Sequence, residues 1–273
     1  LRAVFNTAVS DELVPRNPCR IRGAGQPNSP ERPLVDLDVV MAWWYSHGAE
    51  ARIVSDGLDG SAPFNRHRAY NAAVEKFPET DVFVFSEADM LIPFDQVEWA
   101  IRQAMSHPGL VVPFSQYRYL SDRTTAMLRD SYLDWPAEEV EALWARPARE
   151  EGSLFRLETE SVMDNKKSIG AVNVVSRATL NATGGFTEAT SGNWYDDRII
   201  EEGFAAITEQ ATRFVDGPAV HLYHLPGWKG NHLSDEDRAA TAHNKKLLVG
   251  MRADIRMNHV NRVRALMGVR TAP

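Results

Sequence analysis

Cysteine is almost missing from the chain: Cys19 is the single one, which excludes an internal disulfide and any cysteine-rich metal site. Long apolar runs are missing too. None approaches the roughly 20 residues of a membrane-spanning helix, and with no signal peptide in view the expectation is a reducing, cytoplasmic setting. There is no excess of positive charge: 30 Lys and Arg stand against 37 Asp and Glu, a net charge of −7. That argues against a non-specific nucleic-acid binder and leaves room only for a local basic patch. The content is 44% hydrophobic and 25% charged over 273 residues, enough to bury the core of one large globular domain, with or without an appendage.

The most informative stretch is residues 81–105, DVFVFSEADMLIPFDQVEWAIRQAM. Its apolar run at 82–85 reads as a central strand covered on both faces by helices. The run stops at Glu87-Ala88-Asp89, two carboxylates one residue apart. Asp95 and Glu98 then form a capping-box pattern, and Val97, Ala100, Ile101, Ala104 and Met105 recur at helical spacing. The acids are therefore expected in a strand-to-helix loop, at the sheet edge where open α/β folds bind ligands. Two neighbouring carboxylates repel unless a cation neutralises them, and hard divalent ions such as Mg²⁺ or Mn²⁺ take oxygen ligands. Taken alone, the tripeptide also reads as a solvated acidic turn.

A βα rhythm surrounds this stretch. Asp36 caps an expected helix with Leu37, Val40, Met41 and Trp44 on one face, ended by Gly48. Residues 51–55 read as a short strand, followed by an acidic turn at Asp56. The helix expected over 64–77 exposes Asn65, Arg66, Arg68 and Asn71, and successive βα units imply a parallel sheet. A strand is expected at 110–114, then a polar, mostly helical excursion over 115–165 carrying Trp135 and Trp144, a private core or a stacking surface. Next come a strand at 169–176, a short helix at 177–182, and Gly184-Gly185-Phe186. Asp196-Asp197 opens a helix with Ile199, Ile200, Phe204 and Ile207 at core spacing. Residues 213–223 alternate as a strand, which sets His221 and Tyr223 on one face and Leu222 and His224 on the other, so that one histidine reaches the site. A loop at 227–232 carries Trp228 and Lys229, and Ser234 with Asp237 caps a long C-terminal helix.

Residues 1–33 read differently: a short amphipathic helix with Val4, Phe5, Ala8 and Val9 on one face, a segment with Arg16, Arg20 and Arg22, and a Gly/Pro/Ser linker. The wording LRAVFNTAV and NPCRI resembles the end of the core-binding domain of phage-type tyrosine recombinases. Such enzymes need a His-x-x-Arg pair followed by a tyrosine nucleophile. His259 and Arg262 have the spacing, but no tyrosine follows Tyr223, so recombinase chemistry lacks its nucleophile.

From residue 34 to about residue 250 the order of motifs resembles the GT-A glycosyltransferases, particularly family-2-like and galactosyltransferase-like members that use nucleotide-sugar donors. The resemblance implies an α/β, Rossmann-like fold with a mostly parallel sheet flanked by helices. It implies three parts: an N-terminal extension over 1–33, a GT-A domain over 34–250 with the 115–165 insertion, and a helical tail over 251–273. Glu87 and Asp89 match the family's Asp-x-Asp, which holds Mn²⁺ or Mg²⁺ against the donor diphosphate, with Asp89 the more direct ligand and His224 the late histidine that completes the metal site. Asp56 matches the acid that contacts the base, UDP-sugar being the expected donor. Arg66, Arg68, Asn71 and Trp194 are implied in the donor pocket, Gly185 beneath the sugar, and Asp196 and Asp197 as the source of the catalytic base. The acceptor hydroxyl belongs to a glycan, a protein or a small molecule, with no membrane span involved. Two other readings stay open: a metal-dependent hydrolase on the same carboxylates, and a DNA-binding module built on the basic segment at 16–22.

Overall fold

The computed structural model describes residue 44 and residues 51–58, 63–131, 159–164, 169–192, 194–224 and 233–268. In chain order the elements are α1 (Arg66–Lys76), β1 (Val82–Ser86), β2 (Met90–Leu91), α2 (Phe94–Ser106), β3 (Val111–Val112), β4 (Gln116–Leu120), α3 (Asp122–Ser131) and β5 (Thr159–Asp164). They continue with β6 (Val172–Ser176), α4 (Arg177–Thr183), α5 (Asp196–Thr208), β7 (Arg213–Phe214), β8 (Pro218–His221), α6 (Asp235–Arg256) and α7 (Val260–Met267). The class is mixed α/β. The expected segments at 1–33 and 227–232, the expected helix at 36–48 apart from Trp44, and Trp135 and Trp144 lie outside the described residues.

The strands form two small mixed sheets, ordered β1-β6-β3-β7 and β2-β8-β4-β5. Most neighbours run antiparallel: β1 with β6, β3 with β6, β2 with β8, and β4 with β5; only β3 with β7 and β4 with β8 are parallel. A mostly parallel sheet is therefore not what the described strands make. The difference starts at residues 51–58, which are irregular, so β1 has β6 as its only partner among the described strands. The 115–165 segment also departs from expectation, since its described parts include β4 and β5 paired antiparallel, with a register shift between Tyr119 and Leu120. Tyr117, Arg118 and Leu120 are buried there, an aromatic and polar strand pattern that does not look like an apolar core strand.

β1 packs on both sides, as its sequence implies. Phe83 and Phe85 turn to the larger core, where Phe85 stacks on Tyr70 of α1 at 4.3 Å and meets Phe186 edge-on at 5.2 Å. Val82 and Val84 turn the other way, onto Ala100 and Ala104 of α2. Helix α2 is amphipathic as expected, but its cap is not the expected box: Pro93 stands at the N-cap without a side-chain bond, and Asp95 accepts from the Gln96 N–H instead. The box at Ser234 and Asp237 forms in full at the start of α6. That helix runs through residue 250 without a break, and Met251, Val263 and Met267 are buried in the main core. The C-terminal segment is thus packed into the domain.

Candidate metal centre and acid cluster

β1 delivers the acidic tripeptide to a fixed place. The Glu87 N–H extends the β1–β6 ladder by donating to the Ala171 carbonyl at 2.9 Å. The chain then crosses to the second sheet, where Met90 pairs with His221 and the Leu222 N–H donates to the Asp89 carbonyl at 2.9 Å. Register alone therefore sets Asp89 beside the end of β8.

Three donor atoms converge there. Asp89 Oδ2 lies 3.4 Å from His221 Nε2 and 3.2 Å from His224 Nε2, and the two imidazole nitrogens are 3.2 Å apart. Strand alternation would separate the two histidines, but β8 ends at His221 and residues 222–224 are irregular, so that both imidazoles reach Asp89. His221 is the residue that sequence reasoning missed, and its three-residue spacing from His224 was the available signal. The near-equilateral triangle fits a shared cation, because donors each about 2.1 Å from one ion sit roughly 3 to 3.5 Å apart. Asp89 Oδ1 is buried and has no hydrogen-bond partner among the described residues. Burial pushes the Asp89 carboxyl up, but the bond from His224 and the charges of both imidazoles outweigh it and hold it below the usual range. Burial lowers His221, with Asp89 pulling the other way. An ionised carboxylate and neutral imidazoles are the forms that bind metal.

Glu87 is not part of that triangle. Its Oε1 accepts from Arg66 Nη1, and Arg66 reaches further: Nη1 donates to the Gly170 carbonyl at 3.0 Å, while Nε and Nη2 both donate to Asp196 Oδ2, at 3.1 and 2.6 Å. The Arg66 side chain, 15% exposed, thus braces the acidic loop after β1 against the start of α5, two motifs far apart in the chain. Burial pushes Glu87 up to about 7; Arg66 opposes this, while Asp89, Asp196 and Asp197 add to it. Burial also pushes Asp196 up, but Arg66, His67 and the Asp197 N–H together outweigh it and hold it low. Asp197, half-buried, is raised by burial and by the charge of Asp196. Of the acid pair, Asp196 is tied to Arg66, whereas Asp197 Oδ1 accepts from the neighbouring Arg198 N–H.

The remaining expected residues fall into place around α1. Asp56 is buried and holds the backbone: Oδ1 accepts from Leu58 N–H and Oδ2 from Asn65 N–H, immediately before Arg66. Asn65 caps α1 by accepting from the Arg68 N–H, while the Arg68 side chain is exposed. Asn71 exchanges two hydrogen bonds with the Phe186 backbone, donating to its carbonyl at 2.8 Å and accepting from its N–H at 2.9 Å. Gly185 adopts φ +92°, and a Cβ there would lie 2.8 Å from Asn71 Oδ1, so the Gly-Gly-Phe segment is shaped to pack on α1. Trp194 is exposed at φ +76°, followed by Tyr195 at φ +67°, two strained residues directly before Asp196. Asn244 of α6 pins that turn through Ser191 and the Trp194 carbonyl.

A scan against protein-family models and a search of the curated proteins both give no match.

Proposed function

We propose that the chain is a metal-dependent glycosyltransferase, moving a sugar from a UDP-sugar to an acceptor hydroxyl with inversion. The observation that carries this reading is the Arg66 brace, which sets Glu87, next to the Asp89, His221 and His224 triangle, within one guanidinium of Asp196 and its neighbour Asp197. A cation held by Asp89, His221 and His224 supplies charge neutralisation for a leaving diphosphate. Two imidazoles beside one carboxylate favour Mn²⁺ over Mg²⁺, which prefers oxygen.

Asp197 accepts the proton of the acceptor hydroxyl as its oxygen bonds to the anomeric carbon, and the bond from that carbon to the diphosphate breaks, its electron pair leaving with the phosphate. Its raised pKa suits a base that must hold the proton through the displacement. Asp196, locked to Arg66, keeps the helix start in place. A hydrolase that activates water is favoured by the same two-histidine, one-carboxylate set, and product analysis separates the two.

The test is Asp197→Asn with UDP-sugars, Mn²⁺ and an acceptor panel. Transfer falls by about 100- to 10,000-fold while UDP binding stays within about 2-fold, allowing for context-dependent side effects of the substitution. Unchanged turnover removes Asp197 from the chemistry, and sugar released to water without transfer favours the hydrolase.

A further inference from the structure

Strand β4 runs parallel to β8 with Tyr119 opposite His221 and Tyr117 opposite Ala219. Two residues apart on one strand, the tyrosines project to the same side, and their ring centroids are 4.6 Å apart. Both rings lie against the His221 imidazole, Tyr117 at 5.3 Å and Tyr119 at 5.1 Å, and His224 closes on it at 4.8 Å. Phe114 backs Tyr117 at 5.7 Å. The His221 side chain is 7% exposed. A metal-binding imidazole is ordinarily aimed by a hydrogen bond from its second nitrogen to a carboxylate, carbonyl or water. The Nδ1 of His221 is buried and makes no hydrogen bond of ordinary distance and angle among the described residues, the Leu222 backbone being the polar group of the chain that reaches the ring.

We propose that Tyr117 and Tyr119 are positioning residues of the cation site, their rings holding the His221 imidazole toward Asp89 and His224. This rests on reading those three residues as a cation site. Tyr117 belongs to the main core and Tyr119 packs half-buried against it, so Tyr119 is the ring whose replacement disturbs the interior less. The ring is what matters, so phenylalanine substitutes for tyrosine and an aliphatic residue does not.

The test is Mn²⁺ binding to the full chain without nucleotide, followed by the electron paramagnetic resonance of free Mn²⁺ and by calorimetry. His221→Ala serves as the reference for a lost ligand. Tyr119→Phe keeps the wild-type affinity within about 2-fold, whereas Tyr119→Val, a good strand former, and Tyr119→Leu weaken it by about 10-fold with an unchanged circular dichroism spectrum. A folded Tyr119→Val or Tyr119→Leu protein with wild-type affinity overturns the inference. So does an equal loss in Tyr119→Phe, which assigns the effect to the hydroxyl. No Mn²⁺ bound by the wild-type chain overturns the cation reading itself, an outcome distinct from a variant that matches a binding-competent wild type.

Discussion

His67 makes the fold lose stability as pH falls from about 6.5 to about 4. The ring is fully buried between α1 and the 187–190 segment, with Nδ1 2.8 Å from the Thr187 carbonyl and 2.9 Å from Thr190 Oγ1. A carbonyl only accepts, so Nδ1 carries the hydrogen and Nε2 is bare, 4.0 Å from Asp196 Oδ2. Burial lowers the His67 pKa from 6.5 to about 4; Asp196 raises it, Arg66 lowers it further, and Glu188 raises it weakly. The sign follows from linkage. Above 6.5 the ring is neutral in both states and contributes nothing; below it the unfolded chain takes up the proton first, and the penalty grows until the folded ring also protonates near 4. At about 1.4 kcal/mol per unit, a shift of this size costs about 3 kcal/mol at full extent. Glu87 and Asp197, raised in the fold, act in the opposite sense, so the measurement is a difference between proteins. His67→Asn places an amide N–H where Nδ1 stood and has no group that titrates. Urea unfolding at pH 7.5 and pH 4 should show the wild type losing about 3 kcal/mol more than the variant. Parallel pH profiles, or a His67 resonance titrating near 6.5, would refute the reasoning.

Two further substitutions separate structural from ligand-binding roles. Asn71→Ala leaves the Phe186 N–H and carbonyl without the partners they now have, and chemical denaturation should show a loss of about 1 to 3 kcal/mol; unchanged stability with weakened nucleotide binding would instead make Asn71 a donor ligand. Gly170→Ala puts a Cβ 3.1 Å from Asp197 Cβ and 3.2 Å from its Oδ2, on a helix that Ile199 and Ile200 hold in the core. Transfer rates should drop by about 10- to 100-fold with a melting temperature lowered by only a few degrees, as expected for mild overpacking; wild-type rates would show that Asp197 need not keep its place.

How much of this was legible in the sequence depends on which signals are local. Helical spacing and capping chemistry act within a few residues, and α1, α4, α5 and the Ser234 box of α6 appear close to where the residues imply. Strand partners are set by distant segments. Nothing within residues 82–86 says that β6 runs antiparallel beside them, and in Gln116–Leu120 the alternating tyrosines are the strand signal, masked by a polar composition with an arginine that ends up buried. The acid motifs were visible, but the brace between them was not, because Arg66 sits 21 residues from Glu87 and 130 from Asp196. His221 was lost to an alternation rule that holds only while the strand lasts, and β8 stops at that residue. The bonds that Asp56 and Asn71 make to distant backbone, and the packing of Gly185 on Asn71, were equally out of reach of local signals.

The proposed binding of a cation by Asp89, His221 and His224 is what the functional reading depends on, and calorimetric titration of UDP into the full chain, with Mn²⁺ and then with a chelator, tests it most directly. A cation-bridged diphosphate predicts binding with Mn²⁺, none with the chelator, and none in Asp89→Ala under either condition. Equal binding with and without the ion, or undiminished binding in Asp89→Ala, would contradict it.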